Sequence, residues 1–254
     1  MFCTNCSAQM PNDVNFCGQC GCTLNFNSQA GQSQPQQSQA QVADNSNPYI
    51  AGSIVQFGRY PTTIQSCFTP EGEPIPSIAW IVLDFNPTTR EAFLLSQNIV
   101  DCKMYNRKTK SVSWCDSEIR RWLNTEFYNS AFNQAEQSQI LNTTCSGNGI
   151  ESRNDLPITD DFVFLLNSLE ASNLGSDANR QAIGTAFAKQ EKRIDKCSLW
   201  EYGFGGKSRW WLRNRGKGGN SCAAYVNDSG SIYTHGHDVH EVHYGVRPSI
   251  RIKV

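Results

Sequence analysis

The sequence predicts an α+β protein in three parts: a small four-cysteine zinc ribbon over residues 1–24, a disordered linker over 25–48, and one mixed α and β domain over 49–254. Three observations carry this prediction. Two C-x2-C pairs open the chain; a Gln/Ser/Asn-rich stretch follows; and beyond Pro48 short β-type apolar runs surround two apolar blocks preceded by helix-capping residues.

The ribbon rests on Cys3 and Cys6, then Cys17 and Cys20, with ten residues between the pairs. Each knuckle presents two thiolates from a tight turn, and two knuckles complete the tetrahedral shell of a closed structural Zn2+ site. About 24 residues bury too little apolar surface to fold unaided, so bound zinc is expected to supply on the order of 10 kcal/mol of folding free energy. Four thiolates leave no open coordination position, and the ribbon is read as a docking module. From Asn25 to Pro48 the chain has no aromatic residue after Phe26, so burial cannot offset the entropy of ordering it. As a flexible coil it spans roughly 25 Å.

In the third part, SIVQFGRYP and AWIVLDFNPTTREAFLLSQNIV read as an opening antiparallel meander around Trp80. The first helix follows in DSEIRRWLNTEFYNSAF, where Ile119, Trp122, Leu123, Phe127 and Phe132 recur at helical spacing behind an Asp116 or Ser117 cap. TDDFVFLLNSLE is the second apolar block, after a Thr-Asp cap, and SDANRQAIGTAFAKQEKRIDK reads as an exposed helical insertion. The closing SRWWLRNRG, AAYVNDSGSIYT and GVRPSIRIKV alternate like strands between Gly-rich turns.

The order FGRYP, AWIVLD, IRRWLNTEFYNSAF, TDDFVFLLNSLE, WWLR, VNDSG and YGVRPSIRI resembles the DUF6273 family, and the N-terminal stretch resembles a bacterial zinc-ribbon module, with Ser7 where that pattern usually has Gly. WWLR, a Gly-turn hairpin and GVRP are also more distantly similar to C-type-lectin-like domains of the formylglycine-generating-enzyme type. That likeness implies a compact C-type-lectin-like fold of two main helices packed on short antiparallel strands, with a ligand surface built by the last hairpins. It does not imply their oxidase chemistry, because the reactive cysteine pair is missing: Cys222 is the only cysteine after Cys197.

Candidate ligand-binding residues cluster at this end: Trp211, Arg213, Arg215, Tyr233, His235, His237, His240 and Tyr244. Alternation along WWLR sends Trp210 and Leu212 to one face and Trp211 and Arg213 to the other, leaving one tryptophan for the core and one for a surface. Four histidines within THGHDVHEVHYG, including His243, are either exposed loop side chains or metal ligands completed by Asp238 or Glu241. From Asn220 to Gly245, 17 of 26 residues are Asn, Asp, Ser, Tyr, His or Gly, a set that suits adaptable binding loops and matches retroelement-diversified lectin-like domains as well as ordinary hairpins. Arg213, Arg215 and Lys217 beside Gly216, Gly218 and Gly219 lack phosphate-loop spacing and read as a hairpin tip. Cys67, Cys102, Cys115, Cys145, Cys197 and Cys222 read as buried or isolated thiols.

With 22 Lys+Arg against 23 Asp+Glu the net charge is −1, so nucleic acid is not the expected partner. No apolar run suits a membrane, and MFCTNC is unlike a signal peptide. The expectation is a cytoplasmic, non-catalytic binding protein with a protein ligand. A metal-dependent enzyme using the His235–His243 cluster, and a nucleic-acid-associated regulator acting through the ribbon, are the alternatives.

Overall fold

The computed structural model describes residues 47–62, 75–109, 111–147, 157–190, 196–202 and 205–254. The chain divides into two units, Met1–Asn45 and Ser46–Val254, and the described residues all belong to the second. The expected zinc ribbon with Cys3, Cys6, Cys17 and Cys20, and the linker up to residue 46, lie outside the described residues.

The mixed α and β character holds, with strands dominating. The meander forms as β1 (Ile54–Arg59), β2 (Ser77–Asn86) and β3 (Glu91–Ser96), all antiparallel. Strand β11 (Ser249–Lys253) pairs with β3, giving the order β1-β2-β3-β11. Val55, Phe57, Ile78, Trp80 and Val82 alternate inward, and the buried Trp80 donates its indole N–H to the Phe57 carbonyl at 2.7 Å.

Ser117, not Asp116, caps the first helix by accepting from the Arg120 N–H at 3.3 Å. The helix runs through α1 (Glu118–Trp122), a π turn (Leu123–Phe127) and α2 (Tyr128–Ala131). Ile119, Leu123, Phe127 and Ala131 are all buried. A strict four-residue repeat drifts around a 3.6-residue helix, and the wider π turn takes up that drift. A short α3 (Gln134–Gln139) follows, with an Asn133/Glu136 capping box.

The second main helix is corrected. Most of TDDFVFLLNSLE is not helical: β6 (Ile158–Asp161) pairs with β5 (Thr143–Ser146), and Phe164 bridges to Ser249. Only α4 (Ser168–Ser172) is helical, behind an Asn167/Glu170 capping box. Val163, Phe164, Leu165 and Leu166 are all buried; a run covered on every side crosses the core, and its periodicity does not distinguish strand from helix. The expected exposed insertion is corrected as well. It holds α5 (Asp177–Arg180) and α6 (Ala186–Lys189), but Arg180, Ala182 and Ala188 are buried.

The second sheet carries the C-terminal strands in the order β4-β10-β7-β8-β9, comprising β4 (Asp101–Cys102), β7 (Trp210–Arg215), β8 (Cys222–Val226), β9 (Ile232–Asp238) and β10 (Gly245–Val246). Strand β10 is parallel to β7 and the other pairings are antiparallel. Buried Arg247, in the turn to β11, donates to the Ser96 carbonyl at 3.0 Å and the Arg180 carbonyl at 3.2 Å and lies 5.1 Å from the Trp210 ring centre. Burial pushes its pKa down to about 9, so it remains charged at neutral pH.

Candidate functional site

Strand β7 lies mid-sheet with both faces covered, so its first five residues are all buried. This corrects two expectations. Trp211 lines no surface: its indole donates to the Lys103 carbonyl at 2.9 Å and stacks on Tyr244 with centroids 4.3 Å apart. Arg213 is equally interior. It meets Glu170 in a two-point ion pair at 2.6 and 2.8 Å and donates to the carbonyls of Ser146 at 2.7 Å and Leu165 at 2.8 Å.

The hairpin tip reading of the Gly-rich turn fits its hydrogen bonds. The amides of Gly216, Lys217 and Gly218 donate to the carbonyls of Cys222, Thr234 and His235, so none is presented together as a phosphate cradle. A Cβ on Gly218 would stand 2.7 Å from the His235 ring, and one on Gly236, at φ +83°, would stand 2.7 Å from the Ala223 carbonyl. Glycine at both positions lets β9 lie against the turn. Arg215 reaches the Val112 carbonyl, Asn220 and Ser111 at 3.2–3.3 Å.

The four histidines do not converge. His235 is exposed over Gly218; His237 lies 3.5 Å from Glu241; His240 bonds Thr109 at 3.0 Å; and His243 bonds the Ser198 carbonyl at 2.9 Å while stacking on Trp200 with centroids 3.5 Å apart. Among the described residues no three of His, Cys, Asp or Glu stand close enough to hold a metal. Cys102, Cys145 and Cys197 are buried free thiols, and Cys115 and Cys222 are half-buried free thiols.

What the C-terminal strands do bring together is a ladder of aromatic and cationic side chains. From His243 and Trp200 it passes to Tyr202 at 6.5 Å, to Arg209 lying 4.2 Å from the Tyr202 ring centre, and to Tyr244 at 6.0 Å from that guanidinium. Tyr244 meets Tyr225 edge-on at 4.9 Å, Tyr225 stacks on Tyr233 at 5.1 Å, and His237 lies 5.7 Å from Tyr244. The ladder surfaces at Trp200, 51 % exposed, and Tyr233, 45 % exposed. Tyr225 and Tyr244 are buried and Tyr202 and Arg209 half-buried, and burial raises the pKa of Tyr202, Tyr225 and Tyr244, which keeps these phenols neutral. The Tyr244 hydroxyl and Arg209 Nε are buried atoms that make no full hydrogen bond; Arg209 and Tyr225 lie beside the phenol, and the Asp228 carboxylate stands 3.6 Å from Arg209 Nε.

Of the sequence-derived candidates, Tyr233, His237 and Tyr244 belong to this ladder, while His240 and Arg215 have partners of their own and His235 is exposed over Gly218. Sequence reasoning missed Trp200, Tyr202, Arg209 and Tyr225. The one local signal was the Trp200/Tyr202 pair two residues apart.

Fold and surface define a class: a mixed α and β domain whose last strand pairs with its third and whose C-terminal part carries an aromatic ladder. Residues 89–254 match the family described as "Domain of unknown function (DUF6273)", and the chain belongs to that family. Strands β1 and β2 precede the matched stretch yet pair into its sheet. No curated protein and no solved structure matches the chain. Among the described residues no helix is long and apolar enough to cross a membrane.

Proposed function

We propose that this protein is a non-catalytic binding protein in which the Trp200–Tyr202–Arg209–Tyr244–Tyr225–Tyr233 ladder receives a protein ligand. The observation that carries the reading is the ladder itself: rigid side chains, stacked from behind, with Trp200 and Tyr233 presented to solvent. Tyr, Trp and Arg dominate binding energy at protein interfaces, because they cover large areas with few torsions to immobilise. The buried tyrosines hold the outer rings in place before binding, which lowers the entropic cost of association.

In this reading the zinc ribbon is a separate docking module. The four thiolates of Cys3, Cys6, Cys17 and Cys20 suit zinc in their chemistry, and the zinc orders that segment and does nothing at the ladder. The lectin-like arrangement, a ligand surface on terminal hairpins, would use the outer end of the ladder, where Tyr225 on β8 meets Tyr233 on β9. The test is site-specific photo-crosslinking in cells. A photoreactive residue at Trp200 or Tyr233 is expected to trap the same protein, and one at Ile158 or Leu169, also exposed, is expected to trap none. Equal trapping from all four positions would overturn the reading.

A further inference from the structure

A separate cavity of about 200 Å³ opens between the segment after β4 and the α1–π helix, walled by Lys103, Arg107, Glu118, Arg121, Trp122 and Glu126. Its charges are unevenly partnered. Glu118 turns to Arg107, accepting from its backbone N–H at 3.3 Å and facing its guanidinium at 3.8 Å. Arg121, one helical turn from Glu118, is left without an ion pair or side-chain hydrogen bond among the described residues, and Lys103 has only the Trp122 ring, 4.5 Å from its ammonium. Arg121 is exposed and Lys103 half-buried, so both cations of the wall are open to a ligand arriving from solvent.

The walls are pinned to each other. The Lys103 N–H donates to the Tyr244 carbonyl at 3.3 Å, its carbonyl accepts from Trp211 at 2.9 Å, and the Ile119 N–H joins helix to segment through the Tyr105 carbonyl at 3.2 Å. The volume equals roughly seven waters at about 30 Å³ each, below the range of about 300–1,000 Å³ typical of drug-sized ligands. Three cations against two carboxylates leave a net charge of +1 on the wall, which favours a singly or doubly charged ligand over a polyanion.

We propose that this cavity binds a small organic anion, a carboxylate or phosphate monoester, with Lys103 and Arg121 holding the charged group and Trp122 flanking the ligand's body. The full chain, 15N-labelled at tryptophan, is titrated with benzoate, phenyl phosphate and neutral benzamide, the Trp122 indole resonance being assigned through Trp122→Phe. A saturable shift is expected with one or both anions and not with benzamide; which anion acts separates carboxylate from phosphate. The affinity should weaken about tenfold in Lys103→Gln and in Arg121→Gln, the loss of one charge-assisted contact, and stay unchanged in Lys253→Gln. The other indole resonances report that each variant is folded. No saturable shift at Trp122 up to about 10 mM anion, a millimolar ceiling corresponding to negligible affinity, would overturn the proposal. Equal response to benzamide, or undiminished binding in the two variants, would do the same.

Discussion

Replacing Arg213 with Met tests whether this residue supports the domain from inside or serves a ligand. The substitution keeps an unbranched apolar stem and removes the guanidinium. Two carbonyl acceptors, Leu165 at 2.8 Å and Ser146 at 2.7 Å, lose their donor, and each stranded acceptor costs about 1–3 kcal/mol. Glu170 loses both ion-pair contacts, but its side chain is 28 % exposed and can turn to water, so this part is worth about 1 kcal/mol. The sum is about 3–7 kcal/mol. With a urea m-value of about 2 kcal/mol/M, the unfolding midpoint should fall by about 1.5–3.5 M. Arg213→Lys should recover less than half of this loss, because an ammonium cannot reproduce the planar fork. Urea denaturation followed by tryptophan fluorescence reads both variants. A loss under about 1 kcal/mol for Arg213→Met, within the range of ordinary surface substitutions, would refute the reasoning.

Asp161 is a second interior hub, its buried carboxylate accepting from Trp114 at 2.8 Å, Arg120 at 2.6 Å and Thr159 at 2.7 Å. Asp161→Asn should cost about 3 kcal/mol by removing one partner of a buried pair, measured by the same denaturation. Burial pushes the Cys145 thiol from 9.0 up to about 12. Above pH 9 the unfolded chain therefore releases this proton while the folded one retains it, so stability falls as pH rises from 9 toward 12. Buried Tyr105 and Tyr244 act in the same direction, so the readout is the difference between wild type and Cys145→Ala, whose decline should be shallower. Elemental analysis should find one zinc per full-length chain, lost when Cys3 and Cys17 are both changed to Ser, and none in a chain starting at Tyr49.

The elements legible in the sequence are those whose reasons are local. The β1–β3 meander shows through alternating apolar residues, and the first helix through its apolar repeat behind Ser117. The block Val163–Leu166 was illegible because four consecutive buried residues are compatible with strand or helix. Trp210 and Trp211 alternate as expected, yet both are core, because β7 is flanked by β10 and β8 and covered on both faces. Nothing near Arg213 in sequence announces its partner, since Glu170 lies 43 residues away. The ladder suffered likewise: Tyr225, Tyr202 and Arg209 are unremarkable singly, and only sheet order and the return of the segment before β7 bring them beside Tyr233 and Tyr244.

The most direct test of the central claim is the dissociation constant of the partner trapped through Trp200 or Tyr233, measured for wild type, Trp200→Ala and Tyr233→Ala. Each side chain is about half exposed and stacked on one neighbour, so each variant should lose about 1–3 kcal/mol of stability and is compared with wild type as folded protein. The account predicts at least about tenfold weaker binding in each, as expected for an interface hot spot. Unchanged affinity in both variants would contradict it.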